Sequence, residues 1–295
     1  MAKFKIKRCA DSDFTESRLP HNRTEVFFDC IRLRWREFLK LGVIILLSML
    51  PMLMIGILRD NLIADAIYND KNLGSAGAIL LLADGLSIPF YFLVALALSG
   101  AFRIIKNIAW GDFVFFGADF KDGVRLNFKI FSPTLLLVGI GIFLVDFTML
   151  QSGTEILKGI PLGLSVLLLM PIAILIIVQG TIYSFSFFGA FKNALYLFSK
   201  WIIPSVIASI VTLSPAAFSI ISNTAVKHIC LAFYLMIVFP YVCLGLFLSG
   251  CAVLDKYHNS IYHPEIVGKG ITPLQEELSD EDEDISDCEN PSDEE

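Results

Sequence analysis

Charge is what this 295-residue chain has least of: 18% of its residues are Asp, Glu, Lys or Arg, against about a quarter in ordinary soluble domains. Catalytic signatures are missing as well. No P-loop, HExxH pair, GxSxG elbow or dinucleotide fingerprint occurs, so nothing marks a phosphate cradle, a catalytic metal or an activated serine. The four histidines, His21, His228, His258 and His263, are scattered and make no metal cluster. No enzyme, cofactor or metal is expected. The six cysteines form no CxxC pair, which removes a zinc ribbon and a dithiol redox site. Cys230, Cys243 and Cys251 lie in the last apolar region, where a thiol behaves as a small hydrophobe. Cys9, Cys30 and Cys288 fall on the side assigned below to the cytoplasm, where disulfides are rare. The first 40 or so residues have no apolar core, so no cleavable signal peptide is expected.

Apolar sequence fills the space. It makes up 55% of the chain, and mean hydropathy is +0.68. Runs of about 20 apolar residues match the hydrocarbon thickness of a bilayer. Six can be marked: Leu41–Leu58, Ile79–Phe102, Phe131–Leu150, Leu162–Phe185, Ile202–Ser222 and Ile229–Leu254. The fold class expected is an all-α membrane protein with about six transmembrane helices. Pro51, Pro89, Pro171, Pro215 and Pro240 sit inside spans, where kinks are expected. The second span is the least regular, because Asp84 and Gly85 interrupt it and Ser75–Ser87 could form a separate interfacial piece.

The net charge of −6 hides two populations. Glu276–Glu295 carries 12 acidic side chains and no Lys or Arg, which leaves 23 cations against 17 anions in the rest. Nineteen of those cations fall before the first span, between the second and third, between the fourth and fifth, or after the sixth. Only Arg59, Lys71, Lys158 and Lys227 fall on the other side. The positive-inside rule then puts both termini in the cytoplasm. Three regions are expected: a basic N-terminal segment with an amphipathic helix (1–40), a membrane domain (41–257) and an acidic, disordered tail (258–295).

The cytoplasmic segments resemble one another. FFDCIRLRWR (Phe27–Arg36), FKDGVRLNFK (Phe120–Lys129) and FKNALYLFSK (Phe191–Lys200) align without gaps on Phe27/Phe120/Phe191 and on the closing cations Arg36/Lys129/Lys200. YFLVALALSG and YVCLGLFLSG, ending at Gly100 and Gly250, echo each other in the same way. The unit is an interfacial helix, an outward span and a return span, used three times in one orientation. Such a repeat is parallel, with its pseudo-axis along the membrane normal. Each interfacial helix would lie with its apolar face down and its cations toward lipid headgroups.

The basic, aromatic N-terminal helix leading into a Pro-containing span looks like the YesL-like family of bacterial membrane proteins. So does AFRIIKNIAWGDFVFFGADFKDGVRLNFK, which joins a cationic helix end, a Gly-Asp turn and an Asp-Phe-x-x-Gly helix. The likeness runs from about Arg18 to Tyr257. It implies a multi-pass inner-membrane protein whose genes stand beside those for sugar uptake. The implied role is an accessory or assembly component of carbohydrate uptake, with a sugar transporter subunit as a partner. The alternative is a stand-alone small-solute transporter with its path between the repeats. The candidate path is Asp84, Asp146 and Gln179, polar residues at membrane depth, where they are costly. A plainer reading leaves both carboxylates hydrated at the outer interface and lets Gln179 bond a neighbouring helix. The candidate surface for a partner or anionic lipid is Arg32, Arg36, Lys121, Arg125, Lys129, Lys192 and Lys200. Membrane lipid is the other expected partner; nucleic acid is not expected. Topology is testable directly. Cysteines introduced at Asn69 or Gly153 should react with an impermeant maleimide in intact cells, whereas those at Asp119 or Glu283 should not. Labelling at Asp119 from outside would reverse the assignment.

Overall fold

The fold comes from a computed structural model, which describes residues 20–70, 73–150 and 155–271. Every regular element among the described residues is helical. Five helical stretches are long and apolar enough to cross a membrane: Arg23–Tyr68, Ala76–Ala109, Phe116–Leu150, Gly159–Ile182 and Thr224–Tyr262. A sixth crossing exists if Phe187–Lys200 and Ile202–Thr212, bent by 110°, count as one span. The expected fifth span, Ile202–Ser222, is therefore not one rod. It is an 11-residue α-helix followed by a 3-10 stretch, Ser214–Ile220. Eleven residues rise only about 17 Å, short of a bilayer core of about 30 Å.

We label the helices α1 (Arg23–Asp65), α2 (Leu73–Ser87), α3 (Tyr91–Ala109), α4 (Phe116–Leu150), α5 (Glu155–Leu164), α6 (Met170–Ile182), α7 (Phe187–Lys200), α8 (Ile202–Thr212), α9 (Thr224–Phe233) and α10 (Phe239–Leu254). Local chemistry sets several starts. Asn22 caps α1 by accepting the Glu25 N–H, and Glu25 reaches back to the His21 N–H. Ser186 and Asn223 cap α7 and α9 by accepting from the Gly189 and Val226 N–H groups. Each cap satisfies a donor that the first helical turn leaves open.

Proline explains most of the breaks. Pro89 lies in a 3-10 turn joining α2 to α3, and Pro215 lies in the 3-10 stretch after α8. Pro171 and Pro240 each follow a π-helical turn, Ser165–Leu169 and Tyr234–Val238. A proline ring collides with the carbonyl four residues before it, and a widened turn relieves that collision. Pro51 was expected to kink the first span, but the non-helical backbone inside α1 is at Arg34 instead (φ −120°, ψ 20°).

Three helices form the interior. Residues of α3 from Val94, of α6 from Pro171 and of α10 from Cys243 are buried along most of their lengths. These helices touch one another, and α1 packs on α10 and α3, α4 on α3 and α6, and α8 on α6 and α10. Close approach requires glycine at two of these seams. A Cβ on Gly123 of α4 would lie 2.9 Å from the Ser99 carbonyl oxygen and 3.0 Å from the Gly100 Cα on α3. A Cβ on Gly42 of α1 would overlap the carbonyl of Met236, the carbonyl that Pro240 deprives of its usual donor.

The segments expected to lie on the headgroups are helical; part of each apolar face packs on protein, while Leu33, Leu126 and Leu195 are exposed. Phe120 lies against Gly100, Asn127 donates to the Ser99 carbonyl, and Ala190, Ala194 and Leu197 of α7 are fully buried. Only the third segment is a separate helix; the first two run on into α1 and α4. The tail also begins later than residue 258. Residues up to Ile271 fold back on the body: Arg23 pairs with Asp255 and donates to the Lys269 carbonyl, and Lys269 lies over Trp110. The acidic run Glu276–Glu295 lies outside the described residues.

The Arg23 contacts join the two ends of the described chain; we call this the terminal end of the bundle, and the opposite one the far end. Gly42→Ala should overpack the α1–α10 seam and cost about 1–3 kcal/mol. The readout is a lower melting temperature in detergent. A variant as stable as the parent would show that the seam has slack.

Candidate functional site: a charged far end above an apolar cavity

At the far end, α1, α2, α4 and α9 bring charged side chains together. Arg59 bonds the neighbouring Asp60 at 3.2 Å and pairs with Asp84 on α2 at 3.6 Å. Asp60 also pairs with Lys227 at the start of α9 and stands 4.0 Å from Nε2 of His228. Asp146 on α4 brings a second carboxyl group to Asp84. His228 Nδ1 is 2.9 Å from the Thr224 carbonyl. A carbonyl can only accept, so Nδ1 carries a proton and Nε2 is the nitrogen facing Asp60. The paired side chains are shielded rather than sealed: those of Asp60 and Asp84 are 13% exposed.

Among the described residues the cluster gathers the carboxyl groups of Asp60, Asp84 and Asp146, the cations Arg59 and Lys227, and the imidazole of His228. One oxygen each of Asp60 and Asp84, Oδ2, is buried within the cluster, and a buried acceptor depends on its neighbours for what water no longer supplies.

Beneath this cluster the three inner helices part around a cavity of about 440 Å³. Arg59, Asp84, Tyr91 and His228 are on its wall, and the remainder is overwhelmingly apolar, with Met49 of α1, Phe102 of α3, Ala173 of α6 and Cys243 of α10 among the lining residues. Small side chains line part of it: Ala173 stands on its wall, and Gly139 lets the Tyr91 ring pack against α4. The arrangement can hold an apolar body and offer charged or hydrogen-bonding contacts at one end of it. A free sugar needs many more polar partners than this wall supplies.

The expected site residues separate into two places. Asp84 and Asp146 come together. Gln179 does not join them: it is fully buried toward the terminal end, where it accepts from Asn193 and donates to the Leu175 carbonyl. It thereby ties α6 to α7. The expected docking cations Arg32, Arg36, Lys121, Arg125, Lys129, Lys192 and Lys200 are all exposed. Arg36 lies over Trp35 and Lys200 over Tyr196. Residue-by-residue reading passed over Asp60 and gave no site role to Arg59, Lys227 or His228. The signal was present in two charged dipeptides, Arg59-Asp60 and Lys227-His228, at the ends of apolar runs on a face otherwise poor in charge.

Among the described residues, no group of three or more His, Cys, Asp or Glu could hold a metal ion. At the terminal end, the Tyr183 hydroxyl donates to Asn259, which in turn donates to Asp255. Burial, reinforced by the charge of Asp255, pushes the Tyr183 phenol above its ordinary range. This network ties α6 to the segment that follows α10.

Removing Asp60 should expose what the cluster does. Asp60→Asn strands Lys227 and Arg59 without their shared anion and should cost about 1–3 kcal/mol, discounted from the fully buried case because water reaches the pair. Adding Lys227→Gln should return part of that loss. A double variant less stable than Asp60→Asn alone would contradict the pairing. Set against family models, curated proteins and solved structures, the chain matches none.

Proposed function

We propose that this chain is a solute-binding membrane protein whose spans enclose a path leading through the apolar cavity to Asp84 and Asp146. The cavity is the observation that carries the reading: an apolar space inside a helical bundle, with its polar groups gathered at one end, is built for occupancy. The transporter alternative of the sequence reading is thereby preferred over the accessory role. The wall chemistry favours an amphiphile over a free carbohydrate, so any link to sugar uptake runs through a partner or a lipid-bearing intermediate.

The finer assignments belong to the same proposal. The terminal end faces the cytoplasm of a bacterial cell, an orientation supported by the 19-to-4 division of cations. The chain is a YesL-like protein on the strength of the patterns between Arg18 and Tyr257. Three parallel units are supported by the way each of α1, α4 and α8 packs on two of the three inner helices.

A second reading keeps the accessory role, and one observation favours it. Lys121, Arg125 and Lys129 form an exposed stripe with no ion pair among the described residues. A basic rim of that kind attracts anionic lipid or an acidic partner. The two readings separate in one experiment. N-phenyl-1-naphthylamine, a neutral apolar fluorophore, should bind the purified protein saturably, and Ala173→Phe should abolish that binding by filling the cavity while the protein stays folded. Charge reversal at Lys121, Arg125 and Lys192 should leave the fluorophore bound. Fluorophore binding indifferent to Ala173→Phe would sink the cavity reading. Loss of a co-purifying membrane partner on charge reversal would then support the accessory one.

A further inference from the structure

We propose that the cavity is filled from the bilayer: an amphiphile dissolved in the lipid enters sideways, through a groove between α1 and α9, past the side chains of Leu53 and His228. The inference rests on the cavity reading above and adds the source of the occupant and its way in.

The groove is made by two helix faces. Leu50, Met54 and Ile57 stand four and three residues apart on α1, and Ala225, Ile229 and Ala232 have the same spacing on α9, which puts each set on one side of its helix. Between the two faces lies a space of about 410 Å³. The two alanines leave the α9 side of it open. Asn61 and Thr224 line it as well, at the end where the Asp60–Lys227 pair ties α1 to α9. The groove therefore has an apolar length and a polar end, the layout of an amphiphile. Both helices belong to spanning segments, and Met54 and Ile229 are 63% and 56% exposed. Hydrocarbon chains of the bilayer are what such a surface meets.

Groove and cavity share a wall. Leu53 and His228 line both spaces, so at these two positions the wall is one side chain thick. His228 is held in place: its Nδ1 is bonded to the Thr224 carbonyl at 2.9 Å. Its ring lies against α1 where Gly56 has no side chain, and a Cβ there would stand 3.1 Å from Nε2. Leu53 has no polar tie. It can move between staggered rotamers without breaking a hydrogen bond, which makes it the part of the wall that yields.

The approach from water is the harder one. At the far end an apolar body would have to pass between Arg59, Asp60, Asp84 and Lys227, and parting shielded charges leaves each without its partner. At the terminal end α3, α6 and α10 close on one another. The groove asks for neither. A body entering there leaves lipid, displaces apolar side chains and reaches the cavity with every ion pair intact.

The test follows the rate at which N-phenyl-1-naphthylamine enters and leaves the full-length protein in lipid nanodiscs, by stopped-flow fluorescence. The Ala173→Phe protein, whose cavity is filled, supplies the background from probe in the lipid. Ala225→Trp and Ala232→Phe obstruct the groove at residues that do not line the cavity. Each should slow association and dissociation alike, at least fivefold, and leave Kd within about twofold of the parent, because a higher barrier on the route alone affects both directions equally. Leu53→Ala, which thins the shared wall, should speed association at least threefold, and serves if the groove variants fail to fold. Rates indifferent to all three variants overturn the lateral route and leave the cavity reading standing. A weaker Kd with an unchanged association rate in the groove variants overturns it too, since the substitutions would then act on the cavity and not on the way in. Failure of the fluorophore to bind the parent saturably overturns both.

Discussion

The Asp60 carboxylate stands between cations from two helices, Arg59 beside it on α1 and Lys227 on α9, with His228 a little farther away. The Asp60 side chain is only 13% exposed, so most of what water would supply must come from other parts of the chain. That constraint decides how the far end is built. Arg59 is drawn toward α2 through Asp84, α9 is drawn toward α1 through Asp60, and Asp146 places α4 beside α2. The helices are thus gathered by charge at one end, and apolar packing does not have to fill the space below. At the opposite end Arg23 and Asp255 pair in the same way. There α3, α6 and α10 close directly on one another, Gln179 bonds Asn193, and Tyr183 bonds Asn259, which bonds Asp255.

Between the two ends the packing depends on small residues and displaced carbonyls. Association of helices in lipid draws little from hydrophobic transfer, because lipid is as apolar as leucine; close backbone approach and dispersion replace it. Gly123 on Ser99 and Gly100, and Gly42 on the carbonyl that Pro240 exposes, are examples in which sequence chemistry becomes helix spacing. Removing contact from the middle of the bundle leaves a cavity with its polar groups gathered at one end. The function proposed rests on that sequence of causes: a charge-gathered end, a closed end, and an apolar space between them.

Periodicity and run length reveal much of this in the sequence. The spans, the helix starts at Asn22, Ser186 and Asn223, and most of the proline breaks come from local chemistry and are legible residue by residue. The bent α7–α8 pair is not, because an apolar run from Ile202 to Ser222 has the same composition whether it crosses straight or turns back. The basic segments are ambiguous for a related reason. Their stripes of Phe and Lys describe a helix with one apolar side, but composition does not say whether that side meets lipid or α3. For the site, Asp84 and Asp146 stand out as acids in apolar runs. Their meeting, and the part played by Asp60, Lys227 and His228, arises from tertiary proximity between α1 and α9, more than 150 positions apart. Gln179 looks the same as the two acids in sequence and serves a different purpose, because its amide bonds Asn193 of α7 and the Leu175 carbonyl.

The central claim is that a ligand-sized space exists inside the bundle, and a native side chain reports on it. Cys243 lines the cavity, while Cys251, two turns farther along α10, is buried in close packing; they are 1% and 2% exposed. With each kept in turn as the only cysteine, the rate of methylmercury uptake measures whether a small reagent reaches it. The account predicts uptake at Cys243 at least tenfold faster than at Cys251, and slowed by Ala173→Phe. Equal rates at the two thiols, or the faster rate at Cys251, would contradict the cavity and the function built on it.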